Sequence, residues 1–118
     1  MDMERSQLSG GSLQISTEVL AKIARLAALE VSGIAQVTSD VPKHLAKTNL
    51  QRPVTVVMKD GIAEVTIRLY VKYDCAVRTA CAKVQENVKN TIQNMTGITV
   101  SKVNVIVAGL GEEANTEE

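Results

Sequence analysis

The fold is decided by residues 54–72, which read VTVVMKDGIAEVTIRLYVK. Two runs rich in β-branched residues flank Asp60-Gly61, a dipeptide that suits the tight two-residue turn of a β-hairpin. The second run alternates apolar and polar side chains, and its apolar positions are Val65, Ile67, Leu69 and Val71. Because successive side chains of a strand point to opposite sides of a sheet, this segment predicts an antiparallel pair with one buried face.

A segment with helical periodicity precedes the hairpin. Its apolar residues recur at steps of three and four positions, the spacing that gives a helix one buried stripe. They are Val19, Leu20, Ile23, Leu26, Ala27 and Val31. Ser16 or Thr17 is expected to cap the first turn of this helix, and Ser32-Gly33 is expected to end it.

A second helical segment follows the hairpin. Asp74 is expected to cap a helix that runs to about Met95 and stops at Gly97. The predicted buried stripe contains Val77, Cys81, Val84, Val88, Ile92 and Met95. Most of the residues between these positions are polar, so we expect the other side of this helix to face solvent.

Three further segments complete the predicted elements. Ser12–Ser16 alternates between apolar and polar residues and predicts a first strand, Ile34–Val37 is a candidate short strand, and Ile98–Val107 predicts the last strand. Helices that bury one stripe and strands that bury one face form a two-layer sandwich. We therefore predict an α+β fold of order β-α-β-β-α-β, with two amphipathic helices packed on one face of a mixed or antiparallel sheet.

Length and composition indicate a single domain of 118 residues. An apolar fraction of 45% excludes wholesale disorder, and no apolar run reaches the roughly 20 residues of a membrane span. The polar start and the two cysteines predict a reduced, cytoplasmic protein without a signal peptide. Residues 1–11 are predicted to be a flexible lead-in, residues 12–109 a single α+β domain, and residues 110–118 an acidic disordered tail.

The residue inventory offers little for catalysis. His44 is the one histidine, and no acid–base or metal-binding partner is spaced near it. Cys75 and Cys81 are six positions apart rather than in a zinc-type CxxC pair. No glycine-rich phosphate loop joins a strand to a helix. We therefore expect a non-enzymatic protein with no cofactor, no metal and no small-molecule substrate.

The sheet face opposite the helices is the candidate site. It is predicted to carry both apolar and polar residues, namely Thr55, Val57, Lys59, Thr66, Arg68, Tyr70, Asn104 and Ile106. This mixture is typical of surfaces that bind other proteins, and it equally suits a solvated face of an antiparallel sheet. The candidate interaction residues are Lys59, Arg68, Tyr70 and Lys72, and partners are expected to dock on this face or on the sheet edges.

Nucleic-acid binding is the alternative function. Residues 11–110 hold 12 basic and 7 acidic side chains, a surplus that attracts anionic partners. Single-stranded RNA, however, is commonly held by stacking on aromatic side chains. The predicted open face offers Tyr70 as its one aromatic residue, so the composition of this face favours a protein partner.

Two segments resemble the alkaline shock protein family of Gram-positive bacteria, also called envelope stress response proteins. The opening GSLQISTEVLAKIARLAALEVSGI (11–34) is similar to the start of that family. The stronger likeness lies in VTIRLYVKYDCAVRTACAKVQENVKNTIQNMTGITVSKVNVIVAGL (65–110), with its blocks VQENV (84–88) and NMTG (94–97). This chain departs from the family at Asp74-Cys75, where a glycine is usual, and at TSDVPKHLAKTNLQRP (38–53), which replaces a glycine-rich connection.

The resemblance implies a non-enzymatic cytoplasmic protein linked to envelope or alkaline stress. Some members of the family self-associate beneath the membrane, where a separate membrane-anchored protein holds them, and others are tied to fatty-acid metabolism. We therefore expect a homo-oligomer, located in the cytoplasm or held by such a partner at the inner face of the membrane. The family has no established catalytic residues, so the resemblance assigns none to this chain.

Overall fold

The computed structural model describes residues 11–37 and 52–110. Within these ranges the chain forms two helices and four strands. In chain order they are α1 (Thr17–Leu29), β1 (Ile34–Val37), β2 (Val54–Lys59), β3 (Ile62–Val71), α2 (Val77–Thr96) and β4 (Thr99–Leu110). Both helices pack on one face of the sheet and against each other. This arrangement confirms the predicted α+β class and the two-layer sandwich.

β3 is the centre of a mixed sheet. β4 pairs with it in parallel along its whole length, from Ile62↔Thr99 to Val71↔Leu110. β1 and β2 both pair antiparallel with β3, β1 near Val71 and β2 between Ile67 and Ile62. Since β4 occupies one edge of β3, the two shorter strands lie end to end along the other edge.

The turn between β2 and β3 has the geometry that its sequence predicts. Asp60 and Gly61 both have positive φ angles, 56° and 79°, as a two-residue type I′ turn requires. Glycine and aspartate are among the residues that accept this backbone region most readily. The two strands then pair without a bulge as far as Val54 and Ile67, so the turn sets the register of the whole hairpin.

The core lies between the helices and the sheet. The alternating residues of β3 that were predicted to be buried are all fully buried, and they are Val65, Ile67, Leu69 and Val71. The helix residues packed over them are Leu20, Ala24, Ala27 and Ala28 from α1, and Ala80, Val84, Val88 and Ile92 from α2. Fully burying one large aliphatic side chain stabilises the fold by about 1.5–3 kcal/mol, so each large side chain of this core contributes a stabilisation of that order.

α1 begins at a predicted cap but buries a different stripe. The Ser16 hydroxyl oxygen accepts a hydrogen bond of 3.2 Å from the Val19 amide, as an N-cap does. The prediction that Val19 and Leu26 belong to the buried stripe is wrong, because these side chains are 49% and 55% exposed. At 100° per residue they fall on the side of the helix opposite Ala24 and Ala28, which are fully buried.

The start of α2 also differs from the prediction. The helix begins at Val77 without a capping side chain, so the prediction that Asp74 caps it is wrong. The cause is a turn before the helix, closed by a 3.3 Å hydrogen bond from the Cys75 amide to the Lys72 carbonyl oxygen. Val77 and Met95, predicted to be buried, are 41% and 66% exposed because they lie in the first and last turns.

The segment Ser12–Ser16 is irregular rather than a strand. Both edges of β3 are already occupied, so no central strand offers it a pairing site. Leu13 is 41% exposed, while Ile15 packs against the core on the way into α1. The candidate strand Ile34–Val37 is formed instead, and the observed order is α-β-β-β-α-β. His44 and most of the predicted lead-in and tail lie outside the described residues.

The VQENV block (84–88) connects three elements. Its two valines are fully buried in the core. The Gln85 Nε2 atom donates a 3.0 Å hydrogen bond to the Val103 carbonyl oxygen on β4, and the Asn87 Nδ2 atom donates one of 2.7 Å to the Ala27 carbonyl oxygen on α1. The block therefore joins both helices to the edge of the sheet.

The NMTG block (94–97) ends α2 and starts β4. The Thr96 hydroxyl donates a 2.6 Å hydrogen bond to the Ile92 carbonyl oxygen and accepts one of 3.1 Å from the Ile98 amide. The predicted stop at Gly97 is confirmed, with a left-handed backbone at this residue. The chain thus reverses within three residues, which lets β4 return beside β3.

Candidate interaction surface

The sheet face opposite the helices is mostly exposed, and we call it the open face. It is built from the alternate positions of β2, β3 and β4 whose side chains point away from the core. These residues are Thr55, Val57, Lys59, Ile62, Glu64, Thr66, Arg68, Tyr70, Lys102, Asn104 and Ile106. Each of them except Tyr70 is partly or fully exposed. In the described part of the chain, therefore, neither helix covers this face.

Three aliphatic side chains of the open face are exposed. Val57 is 55% exposed, and Ile62 and Ile106 are each 42% exposed. Val57 and Ile62 lie beside the hairpin turn, while Ile106 lies opposite Arg68 toward the other end of the sheet. Removing apolar surface from water is favourable by about 25 cal/mol per Å², before the entropic cost of association is subtracted. Apolar contact area is thus available at both ends of this face.

The centre of the open face is polar and ordered by Asn104. Its Nδ2 atom donates hydrogen bonds to the Glu64 carboxylate at 3.0 Å and to the Thr66 hydroxyl at 3.3 Å. Lys59 and Lys102 are exposed near the hairpin end of the same face. The surface therefore combines a fixed polar centre, two apolar ends and a cationic margin.

The four predicted interaction residues do not form one patch. Lys59 and Lys72 are exposed, but they lie near opposite ends of β3, whose ten residues span roughly 33 Å. Arg68 lies between them and is partly exposed, whereas Tyr70 is only 7% exposed. Their part in binding stays a prediction, and the exposed apolar side chains of the open face itself are aliphatic.

Tyr70 is buried because its ring lies against Gly109 on β4. A Cβ atom added at Gly109 would come within 2.8 Å of the Tyr70 Cε2 atom, so glycine is what allows the ring to lie there. On the other side of Tyr70, the register places Gln36 of β1. A base cannot stack on a ring that is enclosed in this way, and the burial of Tyr70 therefore does not favour the nucleic-acid alternative.

Ile62 is the exposed residue of this face that sequence reasoning missed. It follows Gly61 directly, where the strand begins, and the apolar alternation is clear only from Val65 onward. The alternation of β3 could have identified it, because Ile62 is an even number of residues from Glu64, Thr66 and Arg68 and therefore lies on the same side of the strand. An apolar residue on the polar side of an alternating strand therefore marked this part of the surface.

The remaining reactive side chains do not converge on a site. Cys75 and Cys81 are free and partly buried. Burial raises the pKa of the Cys81 thiol, and the neighbouring Cys75 raises it further, which lowers the fraction of reactive thiolate. Among the residues of the described ranges, no three histidine, cysteine or acidic side chains group as metal ligands would. Neither described helix combines the length and the apolar character needed to cross a membrane.

Comparison with known proteins gives one family and several relatives. Residues 5–111 match the alkaline shock protein 23 family, which is described as having a cell envelope-related function. The uncharacterized protein YqhY of Bacillus subtilis is 29% identical over 122 residues, covering 100% of this chain and 89% of YqhY. The uncharacterized protein YloU of the same species is 29% identical over 106 residues, covering 85% of this chain and 88% of YloU. Spy1535 of Streptococcus pyogenes, also uncharacterized, is 28% identical over 105 residues, covering 87% of this chain and 81% of Spy1535.

Proposed function

The chain belongs to the alkaline shock protein 23 family, whose function is related to the cell envelope, and from this premise we propose that it is a non-enzymatic binding module. It associates with a second copy of itself or with another protein through the open face. The observation that carries this proposal is the exposure of Val57, Ile62 and Ile106 on the face of the sheet opposite the two helices. Family membership also confirms the resemblance seen in the sequence.

Docking on the open face would bury the three aliphatic side chains and leave charged groups at the margin. Protein interfaces combine apolar and polar area, and here the exposed aliphatic side chains lie at the two ends of the face with the Asn104 hydrogen bonds between them. Lys59 and Lys102 stand near the hairpin end, where they favour a partner that presents acidic groups. The Asn104 hydrogen bonds to Glu64 and Thr66 fix the polar groups beneath such a partner, so little side-chain freedom is lost on binding.

The proposed place of action is the cytoplasm or the inner face of the membrane. The resemblance to the alkaline shock proteins supports this location, since a separate membrane-anchored protein holds some members of that family there. In this role the module would link envelope stress to an assembly beneath the membrane. Its contribution is contact between proteins, and no residue is assigned a chemical step.

The test replaces apolar side chains of the open face with charged ones. We expect Val57→Glu together with Ile62→Glu to lower the weight-average sedimentation coefficient at high concentration, because the charges would have to be desolvated in an interface. Leu26→Glu on the outer side of α1 is the matched control, since Leu26 is also 55% exposed. Unchanged circular dichroism would show that all the variants stay folded.

Two results would contradict the open-face proposal. In one, the double variant sediments like the wild type and still recovers the same proteins from its own cells. In the other, Leu26→Glu disrupts association while the double variant does not, which would move the binding surface to the helical side. Turnover of a defined substrate by the purified protein would contradict the non-enzymatic role.

A further inference from the structure

The outer edge of β4 is only partly occupied by the described residues. β4 pairs with β3 along one side. On the other side, two side chains of α2 cover the first half of the strand. The Gln93 Oε1 atom accepts a 3.1 Å hydrogen bond from the Val100 amide, and the Gln85 Nε2 atom donates one of 3.0 Å to the Val103 carbonyl oxygen. Beyond Val103, no described strand or side chain continues this pattern.

The backbone groups left open on that edge belong to Val105 and Val107. The amide and carbonyl of one strand residue point to the same side, and the side alternates along the strand. The Val103 carbonyl points away from β3, toward Gln85. By alternation, Val105 and Val107 also direct their amides and carbonyls outward, until the register shifts after Val107.

The hydrogen bonds on the opposite edge of β3 show independently that the backbone groups of Val105 and Val107 point away from β3. The Arg68 amide donates to the Pro53 carbonyl oxygen at 2.8 Å, and the Lys72 amide donates to the Gly33 carbonyl oxygen at 2.8 Å. Even-numbered residues of β3 therefore bond away from β4, and odd-numbered residues bond toward it. In a parallel pair, the β4 residues that lie opposite odd-numbered partners then point to the free side. Val105 and Val107, opposite Ile67 and Leu69, are such residues.

The side chains of residues 103–110, the second half of β4, include none of the features that prevent pairing with another strand. Residues 103–110 read VNVIVAGL and contain neither a charged residue nor a proline, which are the usual means by which native edge strands avoid one another. Ile106 and Val107 are 42% and 41% exposed. An uncharged edge with open amides and carbonyls is suited to the addition of another strand.

We propose that β4 pairs antiparallel with β4 of a second copy, about a two-fold axis at Ile106. Val105 of each copy then exchanges backbone hydrogen bonds with Val107 of the other, and the two Ile106 side chains meet on the open face. The two four-stranded sheets become one continuous sheet. This inference rests on the proposed function and names the second copy as its partner.

A second copy fits this edge because the edge is complementary to itself. Val105 and Val107 each offer one donor and one acceptor, and they are placed symmetrically about Ile106. A two-fold contact brings the same patch together from both sides, so a charge at or beside the axis would lie close to its own copy, and residues 103–110 carry no charge. A strand from a different protein is the competing occupant, and it gives a different result in the test.

The first experiment uses a cysteine at the symmetry axis. Ile106→Cys is introduced into a chain that also carries Cys75→Ser and Cys81→Ser, and the protein is oxidised in solution. The Cα atoms of a non-hydrogen-bonded antiparallel pair lie about 4.5 Å apart, within the range of a disulfide. We expect a cross-linked dimer to be the main product. Leu26→Cys in the same background is the control, because Leu26 is more exposed than Ile106 and lies on the outer side of α1, away from both proposed contact surfaces.

The second experiment removes one outward amide. Val107→Pro deletes an amide donor that points away from β3, so the monomer loses no hydrogen bond of its own sheet. Prolines are tolerated on edge strands for the same reason. We expect the sedimentation coefficient to fall to the monomer value. Val107→Ala keeps the amide and should retain the dimer, and circular dichroism establishes that both variants fold.

Each other outcome overturns the edge proposal. Equal cross-linking at Ile106→Cys and Leu26→Cys would reflect random collision, and no cross-linking at Ile106→Cys would exclude the two-fold pairing. A wild type that stays monomeric while binding a different protein would assign the edge or the face to that protein. If Val107→Pro remains a dimer while the Val57→Glu and Ile62→Glu double variant does not, the edge proposal fails and the open-face proposal stands.

Discussion

Asn87 and Ala27 are far apart in the sequence, yet the Asn87 Nδ2 atom donates a 2.7 Å hydrogen bond to the Ala27 carbonyl oxygen. The same amide group lies 3.2 Å from the Glu30 Oε1 atom. The last carbonyl groups of a helix have no donor within the helix. Asn87 therefore caps the end of α1 from α2, and it fixes how the two helices are placed on the sheet.

Removing this cap should destabilise the domain without unfolding it. We expect Asn87→Ala to lower the free energy of unfolding by about 1–2 kcal/mol, because the partly buried Ala27 carbonyl loses its donor. Urea denaturation followed by circular dichroism measures the change. Asn90→Ala on the same helix is the control, since Asn90 is exposed. Equal effects from the two substitutions would show that the cap contributes nothing specific.

Gly109→Ala should be costly because of Tyr70. The new Cβ atom would lie 2.8 Å from the Tyr70 Cε2 atom, and overpacking of this kind typically costs about 1–3 kcal/mol. Thermal and urea melts measure the loss. Gly11→Ala is the matched control, because a Cβ atom there meets nothing within 4 Å. The double variant Gly109→Ala, Tyr70→Ser should lose less than the sum of the two single variants, and strict additivity would contradict a clash with the ring.

Val88→Asp should abolish cooperative folding. Val88 is fully buried between α2 and the rest of the core, so the substitution places an unpaired carboxylate where its desolvation costs several kcal/mol. We expect the cooperative thermal transition to disappear, and we expect the dispersion of amide proton chemical shifts in the NMR spectrum to be lost. Val77→Asp, at a position 41% exposed on the same helix, should melt cooperatively. A soluble Val88→Asp variant with a normal melt would mean that α2 faces the sheet differently.

The thiol of Cys81 should react slowly with iodoacetamide in the folded protein. Burial raises the pKa of Cys81, with a smaller contribution from Cys75, so less thiolate is present near pH 8.5, where free thiols ionise. In a Cys75→Ser variant we expect slower alkylation in buffer than in urea. Because folding raises the pKa of the Cys81 thiol, folding favours the neutral thiol. The free energy of unfolding is therefore highest below the unfolded pKa, and it falls as the pH rises through the folded pKa. Equal rates in buffer and urea would contradict this.

The hairpin and the class of the fold could be predicted because their signals are local. Asp60-Gly61 dictates a turn by its backbone preference, and the alternation from Val65 to Val71 dictates which side is buried. The stripe of α1 could not be predicted so well. Its outer residues Val19 and Leu26 are as apolar as the inner ones, so periodicity alone does not identify the side that meets the sheet.

The contacts that fix the helices and the end of the open face depend on residues far apart in the sequence. Nothing near Asn87 in the sequence indicates that it caps α1, and nothing near Tyr70 indicates that Gly109 will lie beneath its ring. Such pairs become visible only once the sheet order places β4 beside β3 and α2 beside α1. The exposure of Tyr70 was therefore beyond a pattern-based prediction, although its side of the strand was not.

β1 and β2 pair with the same edge of β3, one after the other, and this has a consequence for protein engineering. Val37 lies opposite Leu69, the Pro53 carbonyl oxygen bonds to Arg68, and Val54 lies opposite Ile67. The two short strands thus occupy consecutive positions along one edge of β3, and residues 38–52 connect them in the sequence. A foreign peptide, a whole inserted domain or a pair of new chain termini placed between Val37 and Arg52 would keep the pairings of the described strands in register, which makes this connection the natural point at which to graft, tag or circularly permute this protein.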